Sequence, residues 1–215
     1  MSFETMLSTM SVGMLRTIGI FFLTLLGALP LGMIVALLKK SRFVVVRAII
    51  GAYISVIRGT PLMLQLLVWY FGPFYLFGLS IQGWRFPALI IGFVLNYAAY
   101  FAEIYRGGIE AIPVGQYEAA MVLGYTRTQT FMRIVLPQVI KRILPAITNE
   151  VITLVKDTSL AFTLAYSEMF SIAKQISASQ TSFMPFLIAG VFYFAANYLV
   201  AFVMERIEKA LDYYK

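Results

Sequence analysis

The 215-residue chain has no cysteine, no histidine, and only 13% charged residues. The first two absences exclude disulfides, histidine and thiolate metal sites, and Ser/His or Cys/His catalytic pairs. The third separates the chain from soluble domains, where about a quarter of residues are charged. It also lacks a G-x-x-x-x-G-K-[ST] stretch, and so has no phosphate cradle of its own. No paired carboxylates or nucleophile-base arrangement stands out, which disfavours a small membrane enzyme. What fills the chain is apolar: 60% hydrophobic residues and a mean hydropathy of +0.84. These values describe an integral membrane protein.

A helix crossing the ~30 Å hydrocarbon core needs about 20 mostly apolar residues. Five stretches qualify, at residues 12–38, 48–71, 87–105, 144–166 and 184–204. The first has no basic residue before Arg16 and is too long for a signal-peptide core. One side of the membrane receives Lys39, Lys40, Arg42, Arg47, Arg106, Arg127, Arg133, Lys141, Arg142, Arg206, Lys209 and Lys215. The other receives Arg16, Arg85 and Lys174. Twelve against three places the N-terminus outside and the C-terminus in the cytosol. The net charge of +7 therefore reads as orientation rather than nucleic-acid binding. The expectation is a single all-α membrane domain over residues 1–215. Its connection at 166–183 reads as an outside loop or shallow helix, and Trp69 and Trp84 as an outer aromatic belt.

Residues 106–138 are too many for an unstructured cytosolic connection. Pro113 opens a helix, residues 116–123 continue it, and Gly124 suits a left-handed cap. Thr126 and Gln129 have capping-box spacing and start a second helix, expected to stop before Pro137. Tyr117, Met121, Val122 and Leu123 leave more apolar surface than a short solvated hairpin needs. Either the hairpin packs under its own bundle or a partner covers it.

Polar groups at membrane depth mark a candidate path. At ~1.5 Å per residue, Arg58, Asn96 and Asp157 each lie ~14 to 18 Å from the end of their span, near the midplane. Asn96, Tyr100 and Glu103 share one helix face. Arg58-Gly59-Thr60-Pro61 interrupts the second span, and broken helices at this depth commonly line substrate sites. An amino-acid carboxylate suits Arg58 and the amides of Gly59 and Thr60. Its ammonium or a cationic side chain suits Asp157 or Glu103, with Asn96, Tyr100 and Ser159 completing the hydrogen bonds. The alternative is structural, with Arg58 paired to Asp157, Glu103 to Arg106, and Pro61 a kink.

The stretches EAAMVLG (118–124) and IVLP (134–137) resemble the EAA loop of ABC-importer permeases, matching every fixed position. RGTP (58–61), NYAAYFAEIYRGGI (96–109), GQYEAA (115–120) and KDTSL (156–160) narrow the resemblance to permeases of polar amino-acid importers. That resemblance implies a type I importer permease fold of five spans in a bacterial-type inner membrane, with a cytosolic coupling helix between spans three and four. Glu118, Ala119, Ala120 and Gly124 would form the segment docked on a cytosolic ATPase, Glu118 as cap or polar anchor. ATP and Mg would be bound by that ATPase, present in two copies, and no cofactor by this chain. A second permease chain, identical or paralogous, and an external substrate-binding protein would complete the importer. Within the path, Glu103, Glu150 and Asp157 outnumber Arg58 and Lys156, which favours arginine, lysine or histidine as cargo. A secondary transporter or ion channel is the reading of a different class.

Overall fold

The computed structural model describes residues 2–211, and every regular element in them is helical. Lys215, counted above among the basic residues, lies outside the described residues. Helix α1 (Phe3–Lys39) opens on Ser2, whose hydroxyl accepts a hydrogen bond from the Thr5 amide. It begins well before the apolar stretch at 12–38. Met6, Met10 and Met14, one helical turn apart, are buried in a cluster with Met169, Ile172 and Ala173. That satellite core keeps the first turns helical.

The second apolar stretch is not one helix. Helix α2 (Val44–Gly59) and helix α3 (Leu62–Phe77) meet at 114°. Pro61 has no N–H to continue α2, and it forces the preceding residue out of helical geometry. Thr60 is accordingly extended, with φ −123° and ψ 148°. The chain turns a corner where the sequence reading allowed a kink.

Helix α4 (Arg85–Glu110) is the centre of the bundle, packed along α1 and touching α2, α3 and α7. Of its most apolar stretch, 61% is buried, against 6% for the last helix, α9 (Met184–Ala210), which lies at the periphery. Close α1–α4 approach rests on small residues: a Cβ on Gly32 would come 2.8 Å from Phe101 Cβ and 3.1 Å from the Ala98 carbonyl oxygen. By length and composition α1, α4 and α9 can each cross a membrane, and α2 with α3 form a fourth candidate as a bent pair.

Beyond α4 the chain makes the expected hairpin. Pro113 precedes α5 (Val114–Val122), and Gly124 adopts φ +77°. Thr126 and Gln129 form both bonds of a capping box at the start of α6 (Arg127–Thr130). The second helix does not stop before Pro137, however. A π-helical turn at Phe131–Val135 carries α6 directly into α7 (Leu136–Asp157). The wider turn bonds the Leu136 amide to the Phe131 carbonyl, and Pro137 sits in the first turn of the following α segment, where its missing N–H costs little.

Helix α7 tightens into a 3-10 segment, Thr158–Leu164, ending at Ala165 with φ +52°. The expected span at 144–166 thus covers two kinds of helix. Helix α8 (Met169–Gln180) follows, within the region read as a loop or shallow helix.

Candidate translocation path and coupling surface

The corner between α2 and α3 is held by a residue the sequence reading passed over. Gln65 is buried on the first turn of α3, and its Nε2 reaches the Ile57 carbonyl (2.8 Å), the Thr60 carbonyl (3.0 Å) and Thr60 Oγ1 (2.9 Å). Its Oε1 accepts from Asn96 Nδ2 on α4 at 2.9 Å. Two carbonyls at the broken helix end, those of Ile57 and Thr60, are therefore bonded by one amide, which α4 holds in turn. An apolar environment requires such satisfaction wherever backbone bonding is interrupted. Thr60 also donates to the Val56 carbonyl, and Gly59 ends α2 in an exposed position.

One turn further along α4, the Arg58 guanidinium lies 5.3 Å from the Tyr100 ring centroid and 3.8 Å from Glu103. Glu103 takes two bonds from Arg106, at 3.1 and 2.6 Å, and Arg106 also reaches Glu110. Glu110 in turn lies 3.9 Å from Lys40 at the end of α1. The Glu103–Arg106 pair is as the structural alternative has it. Arg58 pairs with Glu103 instead of Asp157.

Asp157, the last residue of α7, accepts from the Tyr97 hydroxyl at 2.8 Å. Tyr97 and Tyr100 lie 6.4 Å apart between ring centroids, connecting the Asp157 end to the Arg58 cluster. Ser159 is turned to its own helix and donates to the Lys156 carbonyl. The sequence-identified residues Asp157, Tyr100, Arg58 and Glu103 thus form a polar track along α4, with Tyr97 supplying the link between Asp157 and Tyr100, and with Asn96 and Thr60 tied to Gln65 beside it. Ser159 stands apart from it.

A second unforeseen residue is Glu168, fully buried at the N-terminus of α8. It accepts from the amides of Phe170 (2.7 Å) and Ser171 (2.6 Å), and from the Tyr193 hydroxyl of α9 (3.0 Å). The neighbouring Ser167 and Ala165 carbonyls accept from Arg16 and Arg85 respectively. Helices α1, α4, α8 and α9 are thereby fastened to the segment following the 3-10 turn. A lone acidic residue before a run of helix formers was the available signal.

In the hairpin, Ala120 is buried by the chain itself, 1% exposed, whereas Val114, Met121, Val122 and Leu123 are exposed. Glu118 and Ala119 are also exposed. Glu118 lies in the middle of α5, whose N-terminal position is held by Pro113 with no side-chain bond, so Glu118 does not cap it. Of the expected contact residues, Ala120 packs inward and closes the hairpin. The free face is the apolar group around Val122.

Among the described residues, no cluster of three Asp, Glu, His or Cys side chains is arranged to hold a metal ion.

This arrangement, a helical membrane bundle with a broken helix, an internal polar track and an apolar hairpin, has close relatives. The family described as binding-protein-dependent transport system inner membrane component matches residues 28–213, and the chain belongs to it. It is 37% identical over 200 residues to the arginine transport system permease protein ArtQ of Bacillus subtilis, covering 93% of this chain and 90% of the relative. Against the L-cystine transport system permease protein TcyB of the same organism, identity is 35% over 208 residues, covering 95% and 87%. A chain of the crystal structure of an amino acid ABC transporter with histidines superposes with a TM-score of 0.87 at 32% identity, covering 98% and 99%. The chain is accordingly an inner-membrane permease of the amino-acid ABC transporter group. It is a transport component and not an enzyme, because the ATPase of such systems is a separate subunit.

Proposed function

We propose that this permease supplies half of an alternating-access path for importing polar amino acids, cationic ones in preference, and that the path runs along the α2–α3 corner and the polar face of α4. The observation that carries this reading is the broken helix itself. Its end is secured by Gln65 and Asn96, and Arg58 and Tyr100 stand beside it. An amino-acid carboxylate meets Arg58 and the backbone around Gly59 and Thr60, while Asp157 and Glu103 meet positive charge. Ser159 joins only if the 3-10 segment re-forms during the cycle.

The charge argument changes in form. Glu103 is already neutralised by Arg106 and Arg58, so a cationic side chain is left Asp157 and, seven residues earlier on the same helix, Glu150. The two Bacillus relatives carry names for arginine and for cystine at nearly equal identity. The preference for a cation therefore rests on these carboxylates.

In this reading α7 with its 3-10 extension is a fifth span, the N-terminus is outside, and α5 is the coupling helix on the cytosolic side. Glu118, Ala119 and Gly124 belong to that docking segment, and Ala120 shapes it from within. Two permease chains, identical or paralogous, stand on two ATPase subunits that bind ATP and Mg, and an external binding protein delivers cargo. Closure of the ATPases draws the coupling helices together and opens the path outward; hydrolysis returns it inward. The test is uptake into proteoliposomes containing the permease, its ATPase and its binding protein. Uptake of labelled arginine that requires ATP and all three components is the expected result. ATP-independent uptake by the permease alone would instead favour the secondary-transporter or channel reading.

A further inference from the structure

Asn96 and Tyr97 are consecutive on α4 and hold two separate parts of the candidate site. Successive residues of an α-helix point about 100° apart, so one turn can address two neighbouring elements. Asn96 bonds Gln65 at 2.9 Å, and through it the carbonyls of the α2–α3 corner. Tyr97 donates its hydroxyl to Oδ2 of Asp157 at 2.8 Å. The Tyr97 ring is 2% exposed and packs against Tyr100 and Phe101, with centroids 6.4 and 6.2 Å away. A side chain locked in this way by its neighbours presents its hydroxyl as a rigid donor.

Asp157 is the last residue of α7, and the 3-10 segment Thr158–Leu164 begins directly after it. Among the described residues, its Oδ1 takes no hydrogen bond and its carboxylate forms no ion pair; Lys156, next in the chain, attracts it without pairing. We infer, on the cation-preferring reading above, that Tyr97 is a positioning residue for cargo selection, whose hydroxyl engages Oδ2 and so presents Oδ1 to the cationic group of the amino acid. A lysine or arginine in its place would cancel the charge of Asp157, as Arg106 does for Glu103. The phenol is a neutral donor at physiological pH. It anchors the carboxylate and leaves the negative charge available.

Tyr97→Phe keeps the ring and removes only the hydroxyl. Competitive uptake of labelled arginine and glutamine is measured in the reconstituted importer for Tyr97→Phe, Asp157→Asn and the double variant. The ratio compares two cargoes on one protein, so any loss of folded transporter cancels. Tyr97→Phe should lower arginine relative to glutamine by about tenfold, as expected for one lost hydrogen bond to a charged group. In the Asp157→Asn background it should lower the ratio no further. A ratio unchanged by Tyr97→Phe but lowered by Asp157→Asn would make Tyr97 a packing residue, overturning the proposal while sparing the cargo reading. Losses that multiply in the double variant would mean that Tyr97 acts by a route of its own, and would also overturn it. A ratio unchanged by Asp157→Asn would remove this carboxylate from cargo selection, and the role of Tyr97 with it.

Discussion

Gln65 on α3 and Asn96 on α4 share a 2.9 Å hydrogen bond at the point where the α2 helix breaks. The bond does more than join two helices, because the same Gln65 amide also satisfies the Ile57 and Thr60 carbonyls. Removing Gln65 leaves several groups without partners, whereas removing Asn96 leaves one. Gln65→Leu should therefore destabilise the protein more than Asn96→Leu, with losses on the order of 1 to 3 kcal/mol. The double variant should lose little beyond Gln65→Leu, since Asn96 then has no bond left to forfeit. Thermal unfolding in detergent measures all three, and simple additivity would refute the coupling.

Glu168 gives a second stability test. Glu168→Ala removes the N-terminal cap of α8 and leaves the Tyr193 hydroxyl without its acceptor. A loss of roughly 1 to 3 kcal/mol is expected. Glu168→Gln retains one carbonyl acceptor and should lose less. If the two variants unfold at the same temperature, the carboxylate's two-sided role is not what fastens α8.

The two glutamine and glutamate networks escaped the sequence reading for a common reason. Each depends on a partner far along the chain, 31 residues from Gln65 to Asn96 and 25 from Glu168 to Tyr193. A lone Gln inside an apolar run reads as tolerated, and a Glu before a short polar helix reads as surface. Local features were legible: Thr126 with Gln129 and the left-handed Gly124 are encoded within a few residues. Pro137 misled because proline stops an α-helix, while a preceding π turn removes the bond that proline would break. The Arg58 partner was misassigned because counting residues gives depth along a span but not rotation about it. Only the packing of α4 brings Glu103 to Arg58 and Tyr97 to Asp157.

The hairpin calls for a different probe from the one its motif invites. Ala120→Trp would disrupt the hairpin's own packing, since Ala120 is already covered. Val122 and Leu123 are 88% and 73% exposed, so Val122→Asp with Leu123→Asp should leave the fold intact and abolish co-purification with the ATPase. Gly124→Val should strain the left-handed turn and reduce ATP-driven uptake. Normal ATPase binding by the double aspartate variant would remove α5 from the coupling role.

Topology can be read directly, because the chain has no cysteine to interfere. A cysteine at Gln129, on exposed α6, should react with a membrane-impermeant thiol reagent only from the cytosolic side. One at Ser179, near the end of α8, should react only from outside. The opposite labelling would invert the basic-residue argument and detach α5 from any cytosolic ATPase.

Cargo preference turns on Asp157 more than on Glu103. Asp157→Asn keeps an oxygen to accept from Tyr97, so the contact at 2.8 Å survives while the negative charge is lost. Glu103→Gln instead releases Arg106 and Arg58, and should depress uptake of all substrates alike. For Asp157→Asn, removal of a charge-assisted bond worth ~1 to 3 kcal/mol should reduce cationic relative to neutral uptake by roughly fivefold to a hundredfold. The measurement is competitive uptake of labelled arginine and glutamine by the reconstituted importer. A substitution at Asp157 that leaves their ratio unchanged would leave Glu150, seven residues earlier on α7, as the carboxylate to test, and the same result with Glu150→Gln would move selectivity out of this chain and into the external binding protein.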